Sequence, residues 1–152
     1  KLADDFKKPI IFSTHPRTRK KIETQKIKFN KLIKLIKPLG FLDYVKLQIS
    51  SYCVLSDSGT ITEESSILGF KAVNIRESHE RPEGMEEATV ILSGLNYNRI
   101  KQAIVLQSQY QNESYKESNI VKDYDVDNLS QKVIKIIYSY TDYINNYVWK
   151  KK

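Results

Sequence analysis

Val54-Leu55-Ser56-Asp57-Ser58-Gly59-Thr60-Ile61-Thr62-Glu63-Glu64-Ser65-Ser66 sets an apolar run against a small polar turn, and the turn against a segment that favours helix. The order reads as strand, turn, helix. In an open α/β sheet ligands bind beyond the carboxyl ends of the strands, and the free backbone N–H groups of a helix N-terminus favour anions. Ser58 adds a hydroxyl, and Gly59 permits close backbone approach. Glu64 follows about one and a half turns into the helix, where a carboxylate can accept from two cis hydroxyls of a ribose. An ordinary Ser-Gly helix start, with Glu63 and Glu64 supporting the helix dipole, accounts for the same residues without a ligand.

The alternation extends in both directions. Pro9-Ile10-Ile11-Phe12-Ser13-Thr14 predicts a strand and Pro16 to about Phe29 a helix, with proline tolerated in its first turn. Leu32 to Ile36 predicts a strand, Phe41 to Ile49 a helix, Cys53 to Leu55 a strand and Thr60 to Leu68 a helix. Ala72 to Ile75 and Val90 to Leu92 follow as strands, then a helix from about Asn96. Short apolar strands separated by helices predict a doubly wound, Rossmann-like α/β domain with a parallel sheet covered on both faces. The polar stretch Gln107 to Asn119 reads as a surface loop or an extension of the preceding helix. Val133, Ile136, Ile137, Tyr140, Ile144 and Val148 keep helical spacing, so a long amphipathic helix is predicted over 127–150. Its tyrosines and Trp149 suit core or domain contact better than base stacking.

The 152 residues, 40% hydrophobic and 28% charged, suit one nucleotide-binding domain over 1–152. No run approaches the roughly 18 apolar residues of a membrane span. The lone Cys53 excludes an internal disulfide, no metal-type Cys/His spacing exists, and a cytoplasmic location is expected. The opening Lys1-Leu2-Ala3-Asp4-Asp5-Phe6 reads as the end of a helix whose start is missing, as in an excised domain. Net charge is +7, and residues 1–37 hold twelve Lys and Arg against three Asp and Glu. That basic end is a solvated helix face, a site for nucleic acid or a phosphorylated ligand, or a surface for an acidic domain.

Two further clusters leave strands at the expected ligand rim. Asn74 to Ala88 is dense in charge, and its Arg76 and Arg81 are placed to meet phosphate or to fix the loop through Glu80 and Glu83. His15, in Ser13-Thr14-His15-Pro16-Arg17, leaves the first strand at the same edge.

Together, Thr14-His15-Pro16-Arg17-Thr18, Pro38-Leu39-Gly40-Phe41-Leu42, Ser56 to Glu64 and Arg76-Glu77-Ser78-His79-Glu80-Arg81-Pro82-Glu83 resemble, in order and spacing, the C-terminal half of the non-hydrolysing UDP-N-acetylglucosamine 2-epimerase family. The likeness runs from Pro9 to Leu95. Thr60 stands where the family's Asp-Ser-Gly-Gly turn has its last glycine, and Ser78-His79 where its Thr-Thr-Glu-Arg-Pro-Glu loop has two threonines. Those departures, with Ser139-Tyr140-Thr141-Asp142-Tyr143 and Val148-Trp149-Lys150, are similar to the branch that forms UDP-N-acetyl-L-fucosamine from UDP-2-acetamido-2,6-dideoxy-L-talose for capsule and O-antigen polysaccharides.

The resemblance implies a glycosyltransferase-B-type two-domain fold, of which this chain is the C-terminal domain, and a homodimer in the full-length protein. It implies that Ser58, Gly59 and Thr60 bind the diphosphate of a UDP-sugar, that Glu64 holds the ribose, and that Pro38 to Tyr44, with Phe41 and Tyr44, lines the uracil pocket. His15, Arg17, Arg76 and Arg81 then lie near the pyrophosphate and sugar. The family reaction eliminates UDP to a 2-acetamidoglycal and adds it back, with no cofactor and no metal. Its acid/base carboxylates belong to the N-terminal domain, so no catalytic base is assigned here and the isolated fragment is expected to be inactive. The partners expected are the substrate and the protein's own N-terminal domain, without membrane or nucleic acid. A glycosyltransferase donor domain would share the fold and the nucleotide clamp. A nucleic-acid module would use Arg17 to Lys37, but no accompanying motif supports it.

Overall fold

The computed structural model describes residues 1–109 and 120–151. A short helix α1 (Leu2–Phe6) leads into β1 (Ile10–Ser13), α2 (Pro16–Thr24), β2 (Ile33–Ile36) and α3 (Phe41–Ser50). There follow β3 (Val54–Ser56), α4 (Ile61–Leu68), β4 (Ala72–Asn74), α5 (Pro82–Glu86), β5 (Ile91–Leu92) and α6 (Tyr97–Gln109). A 3-10 turn (Lys122–Tyr124) precedes α7 (Leu129–Tyr143), which passes into a π-helical turn over Ile144–Val148. All ladders are parallel: β1 pairs with β2 from Ile10↔Ile33 to Ser13↔Ile36, and β4 lies between β3 and β5. Ladder hydrogen bonds thus join a pair and a trio of strands.

β4 shows why the arrangement is wound on both faces. Successive strand side chains point to opposite sides, and Ala72 and Val73 are both fully buried. Ala72 packs with Ile61, Phe70 and Val90 under α4, while Val73 packs with Ala103 and Ile104 of α6, joined by Leu2 and Phe6 of α1. Burial of each of the larger side chains here, Ile61, Phe70, Val73, Val90 and Ile104, contributes about 1.5–3 kcal/mol. Gly69, with φ +68°, ends α4 in the left-handed conformation, so Phe70 turns back into the core. α1 is tied to α6 through Asp5, whose carboxylate accepts from Lys101 Nζ and the Tyr97 hydroxyl, each at 2.5 Å.

Some boundaries differ from the periodicity. α2 stops at Thr24 rather than near Phe29: the Thr24 hydroxyl donates back to the Lys20 carbonyl, and Lys26 takes φ +48°, which breaks the helical path. Gln107 to Gln109 extend α6, while residues 110–119 of the polar stretch lie outside the described residues. The loop after β4 contains α5, which periodicity did not predict. α5 sits on α4 through Gly84, where a β-carbon would lie 2.0 Å from Thr62 Cγ2. The 3-10 turn straps the same region, since the buried Val121 N–H donates to Ser66 Oγ and the Tyr124 hydroxyl to Glu83.

α7 does not enter the core. It buries no residue, and Val133, Ile136, Ile137 and Tyr140 remain 45–58% exposed. Among the described residues no helix is long and apolar enough to cross a membrane.

Candidate functional site

β3 ends at Ser56, whose hydroxyl accepts from the Ser58 amide at 3.1 Å and so curls the chain into the turn before α4. The first helical N–H groups have no partner one turn back, and the Gly59, Thr60 and Ile61 amides meet no acceptor among the described residues. The Thr60 side chain does not cap the helix. Its hydroxyl donates forward to Glu64 Oε1 at 2.8 Å. With that single proton committed, the 2.9 Å contact between Ser58 and Thr60 must have Ser58 as donor. The turn therefore holds a directed relay, Ser58 to Thr60 to Glu64.

Glu64 Oε2 is held separately by Gln48 Nε2 at 2.6 Å. Gln48 lies on α3 and is 3% exposed. It follows Tyr44 by one turn, and burial, then the Glu64 charge, pushes the Tyr44 phenol above its usual range. α3 and α4 thus converge on one carboxylate.

Arg81 approaches the turn from the start of α5. Its Nε donates to Glu63 Oε1 at 2.6 Å, and its Nη1 to the Glu80 carbonyl at 3.2 Å. A methyl group at Gly59 would lie 3.6 Å from Arg81 Nη2 and from Glu80 Oε2, so both charged groups lean over the glycine. The His79 ring accepts the Arg81 amide at 2.9 Å through Nδ1 and fixes the backbone there. Arg76 turns to Glu80 at 2.7 Å, and that hydrogen bond and its charge hold the Glu80 carboxyl below the usual carboxylate range.

Ser58, Gly59, Thr60, Glu64 and Arg81 are therefore brought together around one turn. Arg76 sits in the same loop, paired within it. The expected loop bond through Glu80 is present for both arginines, whereas Glu83 accepts from Tyr124 instead. Phe41, 79% exposed, opens α3. His15 caps α2 by accepting the Arg17 amide at 3.3 Å, and neither residue hydrogen-bonds to the Ser58 turn among the described residues. Gln48 is a site neighbour outside every motif, while Glu63 and His79 lie within the motifs but had no part in the site expected from them. Gln48 had a signal, since it falls four residues after Tyr44 on one helix face. The Glu63–Arg81 pair joins residues 18 apart and had none.

Such a site can bind an anion at the turn and a diol at the carboxylate. Among the described residues no group of three His, Cys, Asp or Glu is placed to hold a metal ion. The UDP-N-acetylglucosamine 2-epimerase family model matches residues 1–138. The chain belongs to this family. A UDP-N-acetylglucosamine 2-epimerase of Methanocaldococcus jannaschii is 37% identical over 107 residues, 68% of this chain and 29% of the relative. One of Campylobacter jejuni is 32% identical over 84% of this chain and 34% of its own length. The structure of the Rickettsia bellii epimerase superposes with a TM-score of 0.79 at 43% identity, covering 99% of this chain and 41% of that one. The Methanocaldococcus jannaschii enzyme solved with UDP-GlcNAc and UDP gives 0.74 at 29% identity, over 91% of this chain and 38% of that one. The chain thus spans about a third of the curated relatives, and its α/β fold is that of one part of these glycosyltransferase-B-type epimerases.

Proposed function

We propose that this chain is the UDP-binding part of a sugar-nucleotide C2-epimerase. The observation that carries the reading is the Glu64 carboxylate, held on both oxygens beside a turn whose free amides and overhanging guanidinium suit a diphosphate. Glu64 receives the ribose hydroxyls, and Phe41 and Tyr44 face the uracil. Ser58, the amides of Gly59 and Thr60, and Arg81 take the diphosphate, with His15, Arg17 and Arg76 closer to the sugar. When UDP leaves C1 with loss of the C2 proton, charge grows on the diphosphate, and the α4 N-terminus and Arg81 stabilise it in place. The proton itself is moved by groups elsewhere in the protein. A family relative solved with UDP-GlcNAc and UDP supports the ligand class.

The Thr60 and Ser78-His79 departures favour UDP-2-acetamido-2,6-dideoxy-L-talose as substrate and UDP-N-acetyl-L-fucosamine as product, made in the cytoplasm for capsule or O-antigen synthesis. The exposed face of α7 packs on the remaining part of the protein, and the assembled enzyme is a homodimer. The test is turnover of the full-length enzyme in deuterated water. Epimerisation with one solvent deuteron at C2, faster on the L-talose compound than on UDP-N-acetylglucosamine, is the expected result. Sugar transfer to an acceptor without C2 labelling would mark a glycosyltransferase instead, and preference for UDP-N-acetylglucosamine would overturn the branch.

A further inference from the structure

The carboxylate of Glu64 is gripped from two helices, and the grip from α3 comes from a residue outside every motif that carries the family likeness. Gln48 is 3% exposed, and its amide reaches Glu64 Oε2 at 2.6 Å. Only the Nε2 edge attracts a carboxylate, so the amide orientation is fixed by charge. Its Oε1 is buried and has no partner among the described residues. A buried amide with one atom unsatisfied works against folding, and what it achieves here is to hold Glu64. A carboxylate oxygen offers about two acceptor sites. Gln48 fills one on Oε2 and Thr60 one on Oε1, which leaves one on each oxygen for the two hydroxyls of a vicinal diol.

We infer that Gln48 is a positioning residue that presets the Glu64 carboxylate for the 2′- and 3′-hydroxyls of a nucleoside diphosphate. The inference rests on the nucleotide-binding reading above. Without the Gln48 donor the carboxylate is held only by Thr60 and can rotate, so the penalty falls on ligands that bear the diol and spares those without it.

The test compares UDP with 2′,3′-dideoxy-UDP by calorimetry on the whole chain. Gln48→Met keeps the side-chain length and removes the donor. UDP is expected to weaken about tenfold, the effect of losing one charge-assisted hydrogen bond, while dideoxy-UDP is unchanged. An equal loss for both ligands, or none for either, overturns the inference. Gln48→Glu adds a readout that a packing role would not move. At low pH the two carboxyls share a proton and the new side chain donates, whereas at higher pH they repel, so UDP binding should weaken from about pH 5 to about pH 8 beyond any trend of the wild type. A profile parallel to the wild type contradicts it. A wild-type chain that binds no UDP overturns the nucleotide reading itself, an outcome distinct from wild-type binding with an unaltered diol preference in Gln48→Met.

Discussion

Gly59 has no side chain at the one point where Arg81 and Glu80 lean over the start of α4, and a methyl there would meet them at an ordinary 3.6 Å. Gly59→Ala should therefore fold with an unchanged melting temperature yet crowd a phosphate. UDP affinity is expected to fall by about tenfold or more while uridine affinity holds; calorimetry with both ligands, alongside a melt, checks it. Cys53 lies against the core under β4, and burial pushes its thiol up to about 12. Since the thiolate is the reactive form, iodoacetamide at neutral pH should leave the folded chain unlabelled and modify it only after denaturation. At this scale the sequence disclosed that Ser58, Gly59, Thr60 and Glu64 lie together, because they fall within one turn and one helix, where spacing in sequence is spacing in space. It hid Gln48 and the Glu63–Arg81 pair because each contact crosses between elements. For Gln48, spacing after Tyr44 was the only signal, and a glutamine on a helix that also carries Asp43 and Lys46 reads as surface until its partner is seen.

Strand and helix alternation was legible because β3, β4 and β5 are short, apolar and covered on both faces. α5 was not, because its five residues, Pro82–Glu86, lie in a charge-dense loop and carry no apolar stripe. Its place on α4 depends on Gly84. The β-carbon of Gly84→Ala would collide with the fully buried Thr62. Overpacking of this kind costs about 1–3 kcal/mol, so the melting temperature should drop by roughly 3–10 °C, with UDP binding weakened through displacement of Arg81. An unchanged melt would mean that α5 does not pack on α4 as seen. The tie between α1 and α6 carries a pH signature. The Lys101 hydrogen bond, then that from Tyr97, lowers the Asp5 carboxyl below its ordinary value. A group depressed in the folded state stabilises above its unfolded value, near 4, and that contribution disappears as pH falls through the folded value. At neutral pH Asp5→Asn should therefore melt lower than wild type, with the difference starting to shrink at about pH 4 and vanishing only below the depressed folded value.

The chain as a whole carries a helix that its own core does not use. α7 leaves Val133, Ile136, Ile137 and Tyr140 on one open face. The periodicity predicted that helix, but it could not say whether the stripe meets this domain or another, because amphipathic spacing reports a partner without naming it. Ile136→Glu with Tyr140→Glu is expected to leave the melting temperature of this chain unchanged while preventing reconstitution of activity with the remaining part of the proposed epimerase. Loss of stability would instead show that the face packs on this domain.

The most direct measurement is a calorimetric titration of the chain with UDP, repeated on Glu64→Ala and with a mixed-sequence oligonucleotide in place of UDP. UDP binding that Glu64→Ala weakens by roughly 1.5–3 kcal/mol, the usual loss for a charged hydrogen bond, with no tight oligonucleotide binding, is the expected result. No UDP binding, or binding indifferent to Glu64, together with tight, salt-sensitive oligonucleotide binding through the basic residues 1–37, would contradict a nucleotide clamp built on the Ser58 turn.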